Sequence, residues 1–385
     1  MTDTARPLNI LMPCYEFPPI GGGASHVVEG LARELSSRGH RVDIVTMSFR
    51  GRARREVVGG VTVHRVPSVR LRKHFCSVPE AALYLLASRA TQRSLVAGRR
   101  YDVNHTHFIF PDGLNALKLR RSAGLPYIIT AHGSDVPGYN PDRLRFLHRI
   151  MRPAWERVTR DSECIVCSSR TLLALIAQED RNVATRLIPN AIDVDRYNPG
   201  GTRSKRILVV TRMLERKGVQ HLLRAVDGIR LEHEIHIVGD GPHLPALRRL
   251  AARTPTTVVF HGWLDNRSKE LTELYESSEV FVLLSAAENF PMALLEAMTA
   301  GLAILTTRGT GCEEVVGEAG VLVQPGGVEE TRSALLRMLA HPDRLRTLGR
   351  AARRRVEHRF VWSVMADRYM EVYREYAHAG EPAWV

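Results

Sequence analysis

Apolar residues recur along this chain in two rhythms, as short continuous runs and as stripes spaced three and four apart. "LNILMPCYE" reads as a strand, "SHVVEGLARELSSRG" as an amphipathic helix ending at Gly39, and "HRVDIVTM" as the next strand. "YDVNHTHF" and "PYIITAH" are further strands separated by the helical "GLNALKLRRSAG", and "DSECIVCSS" is another strand. This alternation predicts a parallel sheet with helices on both faces. Turn residues in "IPNAIDVDRYNPGGTRSK" then break the rhythm and mark a linker.

The alternation restarts with strand "RILVVTRM", helix "GVQHLLRAVDGI", strand "EIHIVGDG", helix "HLPALRRLAAR" and strand "TVVFHGW". Helix "SKELTELYESS", strand "EVFVLLSA", a helix from roughly Pro291 to Ala300, strand "AILTT" and a short "GVLVQPGG" follow. Helices around 328–340, 342–358 and 361–378 close the chain. In the helix at 291, Pro291 suits the first turn and Gly301 a left-handed stop. The pattern predicts an α/β protein of two doubly wound domains facing across a cleft.

Length agrees, since 385 residues are comfortable for two cores. No uninterrupted apolar run approaches the roughly 20 residues that span a bilayer. The stretch "MTDTARPLNILMPCYEFPP" is too quickly broken by prolines for a signal peptide, so a cytoplasmic, soluble or peripheral protein is expected. Five cysteines at irregular spacing argue against a disulfide framework, and Cys164 and Cys167 fall within a buried strand.

The formal charge of +13 is uneven: residues 1–200 hold 29 Lys/Arg against 18 Asp/Glu, and the remainder 25 against 23. Most of the excess lies in 51–100, around "FRGRARREVV" and "SVRLRKHF". Such a patch suits nucleic acid, an anionic membrane face or phosphorylated ligands. The basic residues lack the interleaved aromatics of a base-stacking platform, so no nucleic-acid partner is expected.

Ligands of open parallel sheets bind beyond the carboxyl ends of the strands, and four signals fall there. "PPIGGGASH" follows the first strand, with glycines that let backbone approach a ligand and a helix N-terminus that favours anions. It matches neither the dinucleotide fingerprint nor the P-loop, and a plain turn is its alternative. "TRMLERKG" places Arg212 and Lys217 where they could clamp two phosphates, or stand as ordinary surface charges. "VGDGPHLPALRRLA" offers Gly241 in a G-x-G, a pattern that tight packing also demands. "SAAENFPMALLEAMTAG" carries Glu288 before a helix and Glu296 inside it, carboxylates that can accept hydrogen bonds from sugar hydroxyls. "AHGSD" supplies His132, which could equally be structural. His105 and His107 share one strand face without an evident third metal ligand.

These segments, in this order, resemble the retaining glycosyltransferases of family 4, whose GT-B fold has two Rossmann-like domains. The resemblance implies that Arg212 and Lys217 hold the donor diphosphate, Glu296 the donor ribose, and that Glu288 faces the transferred sugar. It implies His132 near the sugar's far hydroxyls and Gly22 and Gly23 in a loop closing over the phosphates. Gly241 falls to donor binding in the same way. Pro291 stands where many members have glycine, so sugar contacts fall to Asn289, Phe290 or Met292. Front-face displacement with no metal and no cofactor is implied. The last helix would return to the first domain, giving domains of 1–197 with 362–385, and 198–361.

The expected activity is hexosyl transfer from a nucleotide-diphosphate sugar to an acceptor hydroxyl in polysaccharide or glycoconjugate synthesis. The basic first domain would meet an anionic or lipid-linked acceptor at the inner face of the cell membrane. Alternatives are a sucrose-synthase-like or phosphorylase-like enzyme on the same fold, and a non-catalytic basic binder of membrane or nucleic acid. Lys217→Ala and Glu296→Ala are expected to weaken donor binding while leaving the fold intact.

Overall fold

A computed structural model describes residues 6–73, 76–139 and 145–377. The first five residues of the polar tail, His74 and Phe75 of the basic stretch, and 378–385 at the end of the returning helix lie outside the described residues. The chain divides into two compact units, Met1–Ala191 with Trp362–Val385, and Ile192–Val361. The division falls inside the turn-rich linker.

The first unit is built on eight strands: β1 (Asn9–Pro13), β2 (Arg41–Met47), β3 (Arg55–Val58), β4 (Val61–Val66), β5 (Val103–His107), β6 (Tyr127–Ala131), β7 (Cys164–Cys167) and β8 (Thr185–Leu187). Their order across the sheet is β3-β4-β2-β1-β5-β6-β7-β8, all parallel except the β3–β4 hairpin. Parallel strands covered on both faces must be apolar on both, and β5, β6 and β7 are buried throughout. Cys164 and Cys167 are accordingly buried free thiols.

The closing helix Trp362–Ala377 packs on the helix Gly23–Ser37 in this unit. Met365, Tyr369 and Tyr373 join the same core as β1 and β2. Arg38 adds an ion pair to Asp367 across the two helices.

The second unit holds β9 (Arg206–Val210), β10 (Glu234–Val238), β11 (Val258–Gly262), β12 (Val280–Leu283), β13 (Ala303–Thr307) and β14 (Gly320–Val323). The order β11-β10-β9-β12-β13-β14 is that of a Rossmann-like, doubly wound sheet. In both units the strand order reverses beside the first strand, between β1 and β5 and between β9 and β12.

Residues 51–100, which sequence analysis treated as a basic stretch without elements, form the β3–β4 hairpin and a long helix, Val78–Gly98. The sequence "REVVGGVTVHRV" carries the signal, strand residues on either side of two glycines at positive φ. Part of the basic excess is neutralised inside the unit. Arg65 pairs with Glu56 and Arg70 with Glu16, and both guanidinium groups are buried.

Candidate active site

The loops that follow β9 and β12 run side by side at the reversal point of the second sheet. Ala286 N–H donates to the Arg216 carbonyl at 2.9 Å. Gly218 makes the approach possible, with φ of 75° and no side chain. A Cβ there would stand 1.9 Å from the Leu284 carbonyl oxygen, so no other residue fits without parting the loops.

Lys217 ends a single 3₁₀ turn, Glu215–Lys217, and points into the space between the loops. It forms an ion pair with Glu288, the two side chains being 8% and 11% exposed. The Ser285 hydroxyl donates to the same carboxylate oxygen at 2.9 Å, and Gly311 N–H donates to the Glu288 carbonyl at 3.0 Å. Cys312 lies against this pair. Burial, then the Glu288 charge, pushes its thiol up to about 11. Arg212 lies exposed in the loop that carries Lys217.

Pro291 is the N-cap of the helix Met292–Thr299, with extended φ and ψ of −71° and 120°. It therefore sits just outside the first turn in which sequence analysis placed it. In its first turn Leu294 N–H donates to the Pro291 carbonyl at 3.1 Å, while the N–H groups of Met292 and Ala293 precede any intrahelical acceptor. Asn289 is buried, Met292 half-buried, and the Phe290 ring packs edge-on against Phe360 at 5.3 Å between centroids. The Phe290 side chain thus belongs to the core, leaving its backbone for the loop.

Glu296 is buried one turn into the helix. Its carboxylate accepts from Tyr275 Oη at 3.0 Å on one oxygen and from Arg196 Nη1 at 3.0 Å on the other. Burial, the largest single influence, works against the Arg196 charge, but Glu296 together with Tyr197, Tyr275 and Asp193 outweighs it and holds the guanidinium above its ordinary value. Gly241 has φ of 157°, and a Cβ there would meet the Met213 carbonyl oxygen at 2.5 Å. Its glycine is explained by the packing of the β10 loop on the β9 loop.

The expectation that Lys217→Ala and Glu296→Ala leave the fold untouched needs revision. Each substitution strands a charged partner, Glu288 or Arg196, in a largely buried place. Arg196, Tyr275 and Ser285 were not singled out from the sequence. Arg196 lies in the quoted "IPNAIDVDRYNP", but nothing local marks its partner.

In the first unit, Gly22 is the N-cap of the helix Gly23–Ser37, and both glycines are exposed. The preceding Gly21 donates its N–H to the Lys73 carbonyl at 2.8 Å. His132 follows β6, and its Nε2 lies 3.1 Å from His107 Nδ1. Burial pushes the His132 imidazole down to about 3, so it is neutral near pH 7. The turn is locked by Asp135, which accepts from the N–H groups of His132, Gly133 and Ile109. His105 spends both ring nitrogens internally, on the Tyr373 and Thr130 hydroxyls at 2.7 Å each. Among the described residues no group of three or more His, Cys, Asp or Glu is placed to hold a metal ion.

Such an arrangement of lysine and arginine at a switch point, a helix N-terminus and two carboxylates can hold a polyanion bearing hydroxyl groups. Comparison with known proteins agrees with it. The family model described as Glycosyltransferase Family 4 matches residues 21–196, and that described as Glycosyl transferases group 1 matches residues 204–341. N-acetyl-alpha-D-glucosaminyl L-malate synthase of Bacillus anthracis is 25% identical over 386 residues, covering 95% of this chain and 96% of that protein.

Sucrose-phosphate synthase from Thermosynechococcus elongatus shares the fold with a TM-score of 0.79 at 22% identity, covering 97% of this chain and 100% of that one. Anabaena Alr3699/HepE, solved in complex with UDP and glucose, does so with a TM-score of 0.72 at 17% identity, covering 96% and 100%. Matched in both units by glycosyltransferase models and along nearly its whole length by GT-B structures, the chain belongs to the family 4 glycosyltransferases.

Proposed function

We propose that the enzyme moves a hexosyl unit from a nucleotide-diphosphate sugar to an acceptor hydroxyl, with retention at the anomeric carbon. The observation that carries this reading is the Lys217–Glu288 pair at the reversal point of the second sheet, where such sheets take their ligands. Lys217 and Arg212 are assigned to the diphosphate, together with the first-turn N–H groups of the helix Met292–Thr299. The donor's phosphates would draw Lys217 away from Glu288 and free that carboxylate for sugar hydroxyls. Glu296, held by Tyr275 and Arg196, is assigned to the ribose, since each of its oxygens keeps a second lone pair. Asn289, Phe290, Pro291 and Met292 are assigned to the sugar, Phe290 through its backbone. Gly241 is assigned to keeping the β9 and β10 loops in register beside the donor.

In the first unit, Gly22, Gly23 and neutral His132 are assigned to ligand binding at the carboxyl end of their own sheet. The acceptor is assigned to that unit.

The step itself is a front-face displacement. The bond from the anomeric carbon to the β-phosphate oxygen breaks, and the acceptor oxygen bonds to that carbon on the same face. The acceptor's proton passes to the departing phosphate, leaving a nucleoside diphosphate and the new glycoside. Arg212 and Lys217 stabilise the charge that grows on the leaving group, work of the kind that costs roughly 3–4 kcal/mol of barrier per donor when removed. No cofactor is part of this reading.

A panel of UDP-, GDP- and ADP-sugars tests it, read by thermal shift and by donor hydrolysis. Binding of one donor class with slow hydrolysis is expected, and no binding and no turnover with any donor overturns the reading. The anomeric configuration of the product, read by NMR, tests retention separately.

A further inference from the structure

The helix Val78–Gly98 buries three polar residues beside Tyr84 and leaves several apolar ones exposed. Its inward residues include Glu80, Ser88 and Gln92, whereas Val78, Leu83 and Leu86 face solvent, Leu86 at 68% exposure. A surface helix ordinarily turns its apolar stripe to the core. Two of these inward polar groups are spent on structure. Glu80 accepts from Ser77 N–H and Leu71 N–H, and Ser88 takes a hydrogen bond from Asn115. The Leu71 contact draws the preceding loop against the helix start and leaves the Leu71 side chain 72% exposed, with Val69 also exposed nearby in sequence.

A second helix also exposes apolar residues, although it buries Trp155 and Val158. Arg145–Arg160 exposes Phe146 and Ile150, four residues apart and so on one side. Both helices lie on the same face of the first sheet, one on each side of the helix Asp112–Ala123. Each follows a parallel strand, β4 or β6, and therefore starts from the carboxyl end of the sheet. Their exposed apolar residues thus lie in the N-terminal half of each helix, toward the end of the layer that carries the glycine loop, which Gly21 ties to Lys73.

The charge beside these residues is predominantly positive. Arg72, Arg89, Arg93 and Arg149 are exposed, and the sole carboxylate between residues 67 and 100, Glu80, is buried. Exposed apolar residues gathered on one helix layer mark an interaction surface, and basic residues around them match an apolar partner with an anionic rim. No helix among the described residues is long and apolar enough to cross a membrane. We propose that this face docks the enzyme peripherally on an anionic lipid bilayer, with Leu71, Leu83, Leu86, Phe146 and Ile150 entering the headgroup region and the arginines meeting lipid phosphates. The proposal rests on the functional reading only in assigning the acceptor to the lipid surface.

Vesicle co-sedimentation of the full chain tests it, using phosphatidylcholine with and without phosphatidylglycerol. Binding is expected only with the anionic lipid, weakening steeply with salt. Leu83→Ser/Leu86→Ser and Arg89→Glu/Arg93→Glu should each weaken it by about tenfold or more. Phe146→Ser/Ile150→Ser tests the second helix in the same way. Nucleotide-sugar binding by thermal shift should be unchanged in all three variants. No binding to anionic vesicles, or equal binding by wild type and variants, overturns the proposal. So does a self-association of the wild type that the leucine variant abolishes, since the face would then belong to a second copy. For the wild type, donor binding without vesicle binding rejects the docking face alone, and vesicle binding without donor binding rejects the donor site alone.

Discussion

Lys217 and Glu288 neutralise each other inside the second unit, at the point where the strand order of its sheet reverses. The carboxylate that compensates this shielded lysine is the one that the proposed sugar would claim. Removing one member leaves the other charged and largely buried, which typically costs about 3–5 kcal/mol. Lys217→Ala should therefore lower the denaturation midpoint of the second unit as well as donor binding. The paired change Lys217→Met/Glu288→Leu should recover most of the stability and none of the donor affinity, a split that denaturant unfolding and nucleotide titration would reveal.

Tyr275 and Arg196 hold the two oxygens of Glu296 from opposite sides. A hydrogen bond to a charged group is worth about 1.5–3 kcal/mol, so Tyr275→Phe should destabilise the second unit by an amount in that range. Arg196→Met should cost more, because Glu296 then loses its compensating charge. Both variants should weaken binding of an intact nucleotide more than binding of free pyrophosphate, measured by calorimetric titration.

Gly218→Ala is a test of loop geometry alone. The new methyl would stand at 1.9 Å from the Leu284 carbonyl oxygen, and the left-handed backbone disfavours it too. The two loops must part, and donor affinity should fall at least tenfold while the first unit is unaffected. Gly98→Ala is the control, since a Cβ there meets nothing within 4 Å.

Asp112 predicts a pH dependence. It is fully buried beneath the first sheet's carboxyl end, accepting from Tyr84 Oη at 2.6 Å and Tyr15 N–H at 2.9 Å. Burial raises its carboxyl to about 7, and these hydrogen bonds only partly offset the rise. Between the unfolded value near 4 and this folded value the native state binds the extra proton, so this group lowers stability as pH rises across that window. The loss should amount to a few kcal/mol and level off above pH 7. Asp112→Asn should remove that slope from the midpoint-versus-pH curve, leaving wild type and variant alike near pH 4 and the variant more stable at pH 8. The Tyr84 hydroxyl can then donate to the Val45 carbonyl, which lies 3.0 Å away, and accept from the new amide.

Much of the fold was legible because buried parallel strands and amphipathic helices write their periods into the chain. β9 to β14 and the helices between them follow the apolar runs read from "RILVVTRM" onward. The β3–β4 hairpin shows only in the paired glycines of "REVVGGVTVHRV", and the helix Val78–Gly98 did not announce itself. Arginines dominate that stretch, and the helix carries its polar residues inward, contrary to the rule by which such helices are recognised. Glu288, Glu296 and Lys217 could be named from their places after strands, but their partners could not.

The chain by itself determined two doubly wound units, the linker between them and the loops that carry charge at strand ends, because those features depend on neighbours within a few residues. Only the tertiary structure decided which charges cancel. Lys217 meets Glu288 across 71 residues and Arg196 meets Glu296 across 100, separations at which sequence carries no pairing signal. Sheet order, set by the burial of whole strands, is what brings those loops to one place.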